Sequence, residues 1–288
     1  MKPEILLGIA ACLASGPVWA AQHYSVTGLI LKLDESHRTF VASCSAIPGY
    51  MEAMVMPFVV REAKYLHGLA PSMLVDFTLV VEPDDSYVEN IQIHDYQNVE
   101  QEQLAVRRLQ LLDGLDSTGP AARMLELGQQ VSDFALTDQT GRRVTLSQFS
   151  GKVVAATFIY TRCPLPNYCF RLSNNFGRLQ KRFTDRVGRD LMLLTITMDP
   201  VHDLPEVMAN YAKTWKADPD SWRFLTGPPS EVQKVCRQFG VNFWPDEGNL
   251  THSLHTIVID RQAKLAANFE GNEFSAQQLG DFLATILR

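Results

Sequence analysis

Cysteine is scarce in this chain, with five in 288 residues. Only Cys44, Cys163, Cys169 and Cys236 lie beyond the first twenty positions. So few exclude a disulfide-stapled scaffold and make the placement of each thiol informative. Basic charge is also short: 26 Lys and Arg face 32 Asp and Glu, for a net charge of -6. That balance argues against nucleic acid as a partner. No stretch after residue 20 approaches the ~20 apolar residues of a membrane-spanning helix. There is no glycine-rich phosphate loop, no Ser-His-Asp arrangement and no internal repeat, so nucleotide chemistry, serine-type catalysis and repeat architectures lack their signatures. With 46% hydrophobic residues the chain is not disordered, and its length fits about two packed cores.

The first twenty residues read as a targeting element. Met1-Lys2 precedes the apolar run Ile5 to Leu13, and Val18-Trp19-Ala20 supplies small-residue cleavage chemistry. Residues 1–20 are therefore expected to be a signal peptide, with Ile9-Ala10-Ala11-Cys12 offering lipid attachment at Cys12 as the alternative. The mature chain is expected to be exported and periplasmic, soluble or tethered to a membrane. Cleavage after Ala20 would leave Ala21-Gln22-His23, whose amine, two amides and imidazole suit square-planar Cu(II).

Charge divides the remainder. Positions 22–128 hold 7 basic and 15 acidic residues, and positions 129–288 hold 18 and 16, which points to two domains of different character. In 22–97 the β-rich runs Tyr24–Leu33, Thr39–Ser45, Ala53–Val60, Met73–Glu82 and Tyr87–Tyr96, with a short helix near Glu62–His67, predict a small closed β-barrel of the OB type. Residues 98–128 are expected to be a helical linker. The acid-rich stretch Glu82–Glu102 reads as a solvated face.

Residues 129–288 alternate between strand and helix. A hairpin at Asp138-Gln139-Thr140-Gly141 precedes the buried run Val153–Tyr160; a helix through Leu172, Phe176, Leu179 and Phe183 follows, then strand Leu191–Met198. A helix capped by Asp203 begins at Pro205, followed by strand Arg223–Thr226, helix Ser230–Phe239, strands Thr256–Asp260 and Lys264–Phe269, and a last helix from Ser275. This order predicts an α/β thioredoxin-like domain.

The chemistry concentrates at Thr161-Arg162-Cys163-Pro164-Leu165-Pro166-Asn167-Tyr168-Cys169, between a buried strand and a helix. A thiol there is expected to meet the positive helix end and become thiolate. Such a pair suits redox or metal chemistry, or a structural disulfide closing a short loop. Phe158 to Pro164, the later Met198-Asp199-Pro200, and Thr251-His252-Ser253 ahead of Ile257-Val258-Ile259-Asp260 resemble the SCO/SenC family of thioredoxin-fold copper proteins, over about Gln129 to the C-terminus. The resemblance implies copper held by Cys163, Cys169 and His252 and delivered to the CuA centre of cytochrome c oxidase subunit II or another copper acceptor. It equally implies thiol–disulfide exchange on partner cysteines, with Cys163 and Cys169 as the catalytic pair. Five residues separate the two cysteines where three is usual, and Phe170 stands where proline is common. Two thiolates and an imidazole suit Cu(I), the imidazole also supports Cu(II), and zinc competes for the same donors. His255, three residues on, is expected at the surface or behind the ligands.

A second constellation, Cys44 through Phe58, resembles the CusF-like copper-binding domain. Met54 and Met56 project from one face of a strand, and Cys44 on the neighbouring strand would complete a soft sulfur site. The resemblance places Cys44 where histidine is usual, with Tyr50 or Met51 standing in for the aromatic. Core packing also accounts for a methionine pair. Cys236 fits a buried, inert thiol in an apolar helix pattern. Arg171, Arg178 and Arg182 fall on one helix side, a solvated face or a dock for an acidic partner.

Overall fold

The computed structural model describes residues 21–94, 124–246 and 249–288. The expected signal peptide and most of the expected linker helix lie outside these residues.

The first sheet is antiparallel and ordered β3-β2-β1-β4-β5, from β1 (Gln22–Asp34), β2 (Thr39–Cys44), β3 (Met54–Val59), β4 (Leu74–Val81) and β5 (Ser86–Ile93). A 3₁₀ turn, Ala63–Leu66, sits where a short helix was expected. The expected barrel does not close. The edges β3 and β5 meet only at one parallel bridge, Val60 to Val88, rather than through a ladder. The two edges do not approach closely enough to form a ladder, and β3 stays a largely exposed edge that buries only Phe58 fully.

The second sheet has seven strands, ordered β14-β13-β8-β9-β10-β6-β7. Its centre is parallel: β8 (Val153–Ile159), β9 (Leu191–Thr197) and β10 (Trp222–Thr226). Every residue of β8 and β9 is buried, as expected of strands covered on both faces. β6 (Ala135–Asp138) and β7 (Arg143–Thr145) form the anticipated hairpin, its turn pinned by Asp138 accepting from Thr140 and Arg142 backbone N–H groups at 2.8 and 3.0 Å. β13 (His255–Ile259) runs antiparallel to β8, and β14 (Leu265–Glu270) closes that edge. A separate hairpin, β11 (Phe243–Asp246) with β12 (Asn249–His252), was not anticipated. The helices are α1 (Arg171–Arg182), α2 (Pro205–Thr214), α3 (Pro229–Gln238) and α4 (Ala276–Ile286). In α1, Leu172, Phe176 and Leu179 form the buried stripe. No helix among the described residues is long and apolar enough to cross a membrane.

Helix α4 joins the two sheets. Ser275 and Gln278 form a capping box, and the buried Gln278 amide also donates to the Ser43 carbonyl at 3.1 Å. Ser43 donates its hydroxyl to Asp281 at 2.7 Å. Leu29 and Leu31 of β1 sit in the core of the second sheet, while Val26 and Ile30 sit in the core of the first.

Candidate metal centre

Strand β8 ends at Ile159, and the chain leaves its C-terminal end through Tyr160 into the loop that carries Cys163. The β13–β8 register, Thr256 opposite Thr157, puts the start of β13 beside that exit. His252, at the end of β12 and three residues before β13, therefore arrives at the same end of the sheet as the cysteines. Sequence separation hides this closeness; antiparallel pairing creates it.

All described cysteines are free thiols. Cys163 is half-buried, Cys169 and His252 buried. The Cys163 sulfur is hydrogen-bonded by the Cys169 thiol, which chiefly lowers its pKa to about 4 against the raising effect of partial burial; a bond from His252 adds to the lowering. Cys169 is pushed well above the usual thiol range by that same bond and by burial. The pair thus divides into a thiolate and a thiol. The His252 Nδ1 lies 2.8 Å from the Ser253 carbonyl; a carbonyl only accepts, so Nδ1 carries a proton, and the bond to the Cys163 sulfur is made through Nε2. Among the described residues no three His, Cys, Asp or Glu side chains already surround one metal-sized position. Cys163 is the hub that Cys169 and His252 each reach.

The source of the thiolate differs from expectation. Helix α1 starts only at Arg171, after a π-helical turn Pro166–Phe170 in which Tyr168 is non-helical at φ -108°, ψ -107°. Cys163 lies upstream in a turn, so hydrogen-bond donors rather than the helix end hold its charge.

Carboxylates brace the loop from behind. Arg162 donates to Asp199 through Nη2 at 2.7 Å and Nε at 3.2 Å, and His202 Nδ1 sits 2.8 Å from the other Asp199 oxygen. Asp203 does not cap α2, whose N-cap is Leu204. Its carboxylate is turned inward, accepting from the Thr161 backbone and hydroxyl and from the Thr197 hydroxyl. Asp199 and Asp203, one inside a recognised motif and one read as a cap, thus tie the residues before Cys163 to the end of β9. Tyr160 was overlooked: it is buried, and its ring meets His252 edge-on, centroids 5.5 Å apart. A tyrosine ending a buried strand beside a cysteine loop was the available signal.

In the first sheet Cys44 pairs across the ladder with Met54, and Met56 with Ala42, so both methionines share the face of Cys44. Cys44 is buried and Met54 is 48% exposed. Burial pushes the Cys44 thiol up to about 12, and Gly28 makes room for it, since a Cβ there would lie 3.1 Å from its sulfur. Tyr50 stacks on Tyr24 at 4.0 Å.

Other candidates resolve plainly. Gln22 and His23 are laddered to Val81 and Val80, which competes with wrapping a Cu(II) ion by those amides. His255 is buried and bonded to Asn268 at 2.9 Å, not at the surface. Cys236 is buried, its thiol raised by burial. Arg171 donates to the Glu273 carbonyl and Arg182 to Gln277 and Asp281, so the arginine side of α1 is largely spent on the α4 region.

Comparison with known proteins agrees with this architecture. The family described as SCO1/SenC matches residues 123–288. The SCO1 protein homolog of Bacillus subtilis (strain 168) is 26% identical over 151 residues, 51% of this chain and 77% of its own. A SCO1/SenC family lipoprotein from Bacillus anthracis str. Ames superposes with TM-score 0.51 and 22% identity, covering 56% of this chain and 97% of that one, which establishes the shared fold. The crystal structure of Arabidopsis thaliana ScoI with copper bound gives TM-score 0.48 and 23% identity, over 55% of this chain and 97% of that one.

Proposed function

The chain belongs to the SCO1/SenC family, and on that premise we propose that it is an exported copper metallochaperone carrying its cargo on Cys163, Cys169 and His252. The observation that supports this most is that the half-buried Cys163, the buried Cys169 and the buried His252 come to the same end of the second sheet. Two sulfurs and one nitrogen make a soft donor set that suits Cu(I), whereas zinc would ask for a fourth ligand. Cargo delivered to an acceptor such as the CuA site of cytochrome c oxidase subunit II leaves by ligand exchange, and a three-donor set leaves room for an incoming thiol. The half-buried Cys163 is the donor an acceptor reaches first. Cys44, Met54 and Met56 are proposed as a second, CusF-like copper site that loads the carrier in cis, where tethering raises effective concentration. Periplasmic residence is part of the same proposal, supported by the signal-like first twenty residues.

Anaerobic Cu(I) titration of the full chain tests the reading. Cys163→Ser and His252→Ala should each remove the tight carrier equivalent, and Cys44→Ala combined with Met54→Ala should remove a separate one. Unchanged stoichiometry and affinity in His252→Ala would sink the carrier assignment.

A second reading has its own support: a low-pKa thiolate beside a high-pKa thiol is the arrangement of an attacking and a resolving cysteine. A thiol–disulfide oxidoreductase acting on partner cysteines would lose activity in Cys163→Ser and keep most of it in His252→Ala.

A further inference from the structure

We propose that Asn272 is a positioning residue for the cysteine loop, and that Gly271–Glu273 form a strap through which the first sheet holds the carrier site. The proposal rests on the reading that Cys163, Cys169 and His252 act together, and extends that site to the first sheet. The strap joins β14 to the cap of α4, and each of its residues reaches a different element. Gly271, at φ 75°, follows β14 and donates its N–H to the Leu254 carbonyl at 2.8 Å. Leu254 lies two residues after His252. Asn272 donates its side-chain amide to the Asn167 carbonyl, inside the turn that leads to Cys169. Arg171, two residues after Cys169, donates to the Glu273 carbonyl at 2.9 Å. The Glu273 carboxylate is turned to the first sheet, 2.7 Å from His94 Nε2, and His94 Nδ1 lies 2.5 Å from Asp76 on β4. Asp76 in turn accepts from the Thr27 hydroxyl of β1 at 2.5 Å.

The turn before Cys169 is weakly determined by its own backbone. Pro166 brings no N–H, Tyr168 is non-helical, and the Tyr168 N–H reaches the Leu165 carbonyl at 3.2 Å. A turn so placed takes its position from an outside partner, and Asn272 supplies one. Because a carbonyl only accepts, the side-chain NH₂ of Asn272 is the end that faces Asn167. The neighbouring Gly271 holds the chain just beyond His252, so two adjacent residues of the strap fix the cysteine turn and the histidine segment relative to one another. Groups behind the ligands set ligand orientation, and with it the shape of the donor set a soft metal meets. The third residue, Glu273, fastens the strap to His94. The first sheet thus serves the carrier site as a brace, a role separate from any ligands of its own.

The test is amide hydrogen exchange of the metal-free full chain, read by mass spectrometry over the turn Pro166–Phe170 and over β8. Asn272→Ala should speed exchange in the turn about fivefold, the size of one net hydrogen bond, and leave β8 unchanged. Asn272→Asp, equal in size but without the donor, should do at least as much. His94→Ala, a substitution in the first domain, should also speed exchange in the turn while Asn272 is present, and add less than about twofold in the Asn272→Ala chain. With Cu(II) added to the full chain, Asn272→Ala should shift the electron paramagnetic resonance parameters of the bound ion. Turn exchange within twofold of the parent in Asn272→Ala, an equal rise in β8, a His94→Ala effect of the same size in both backgrounds, or an unshifted resonance would each overturn the proposal. Because the exchange measurement contains no metal, a turn that responds as stated in a chain that binds no copper would sink the carrier reading and leave the strap standing. Copper binding with an unresponsive turn would do the reverse.

Discussion

Arg162 grips Asp199 with two nitrogens, Nη2 at 2.7 Å and Nε at 3.2 Å, and Asp199 is almost fully buried while the guanidinium is 44% exposed. The pair sits one residue before Cys163 and fastens the cysteine loop to the end of β9. Removing the arginine leaves a buried carboxylate with only His202 as a side-chain partner. Arg162→Ala is expected to lower the urea midpoint at pH 7 and to slow copper transfer more than copper uptake. An unchanged midpoint would show that the pair does not brace the loop.

Copper uptake should release protons in a fixed number. At pH 7 Cys163, held at about 4, is already thiolate, and Cys169, raised well above the usual range, is still protonated. Binding to both sulfurs therefore expels about one proton per copper. Between pH 7 and about 8.5 the apparent affinity should rise roughly tenfold per pH unit, because the proton is a product of binding. Indicator absorbance in weakly buffered anaerobic titrations checks this. Two protons released would mean that a second ligand, Cys163 or His252, also gives up a proton on binding, and none would mean that Cys169 does not bind.

His94 ties the first sheet to the second. Its Nδ1 lies 2.5 Å from Asp76 on β4, and its Nε2 2.7 Å from Glu273 in the segment leading to α4. Burial opposes the imidazolium, but the bonds to the two carboxylates outweigh it and raise the pKa above the ordinary value. A raised folded pKa stabilises the protonated form. The contribution is complete below about 6.5, the unfolded value, and is lost as pH rises through the folded one. The urea midpoint of His94→Gln should thus fall furthest below the parent at pH 5.5–6.5 and approach it at alkaline pH. A gap that widened with pH would reverse the sign.

Gly28 and Cys44 are fitted to one another across β1 and β2. A methyl at Gly28 would meet the Cys44 sulfur at 3.1 Å and the Ala42 Cβ at 3.2 Å, tighter than a packed strand face tolerates. Gly28→Ala should destabilise the chain by about 1–3 kcal/mol, and adding Cys44→Ala should restore part of that loss. Additive losses in the double variant would place the Cys44 sulfur elsewhere.

Much of the structure of residues 129–288 was legible from residues alone. The unbroken apolar runs of β8 and β9 announce strands buried on both faces, and the Leu172, Phe176, Leu179 stripe announces α1. The first sheet was legible strand by strand but not in its closure, because whether β3 and β5 pair depends on how far two edges approach, which no local pattern encodes. Asp203 looked like a cap since acids commonly precede helices; the threonines that claim it are Thr197 at the end of β9 and Thr161 in the loop after β8, and the latter reaches it only once β8 and β9 pair. Arg171 and Arg182 of α1, readable as a solvated face or a dock, find their partners in Glu273 and α4.

Local chemistry alone determined that two sulfurs would flank a turn after a buried strand, and which residue types could join them. What tertiary structure decided was the company those sulfurs keep. The antiparallel set of β13 on β8 delivers His252 and the β12 hairpin to the strand exit, and burial of Cys169 beside a more open Cys163 splits two identical side chains into thiol and thiolate. Side-chain identity fixes what a group can donate or bind; its proton and its partners depend on solvent exclusion and distance, which exist only once the chain is folded.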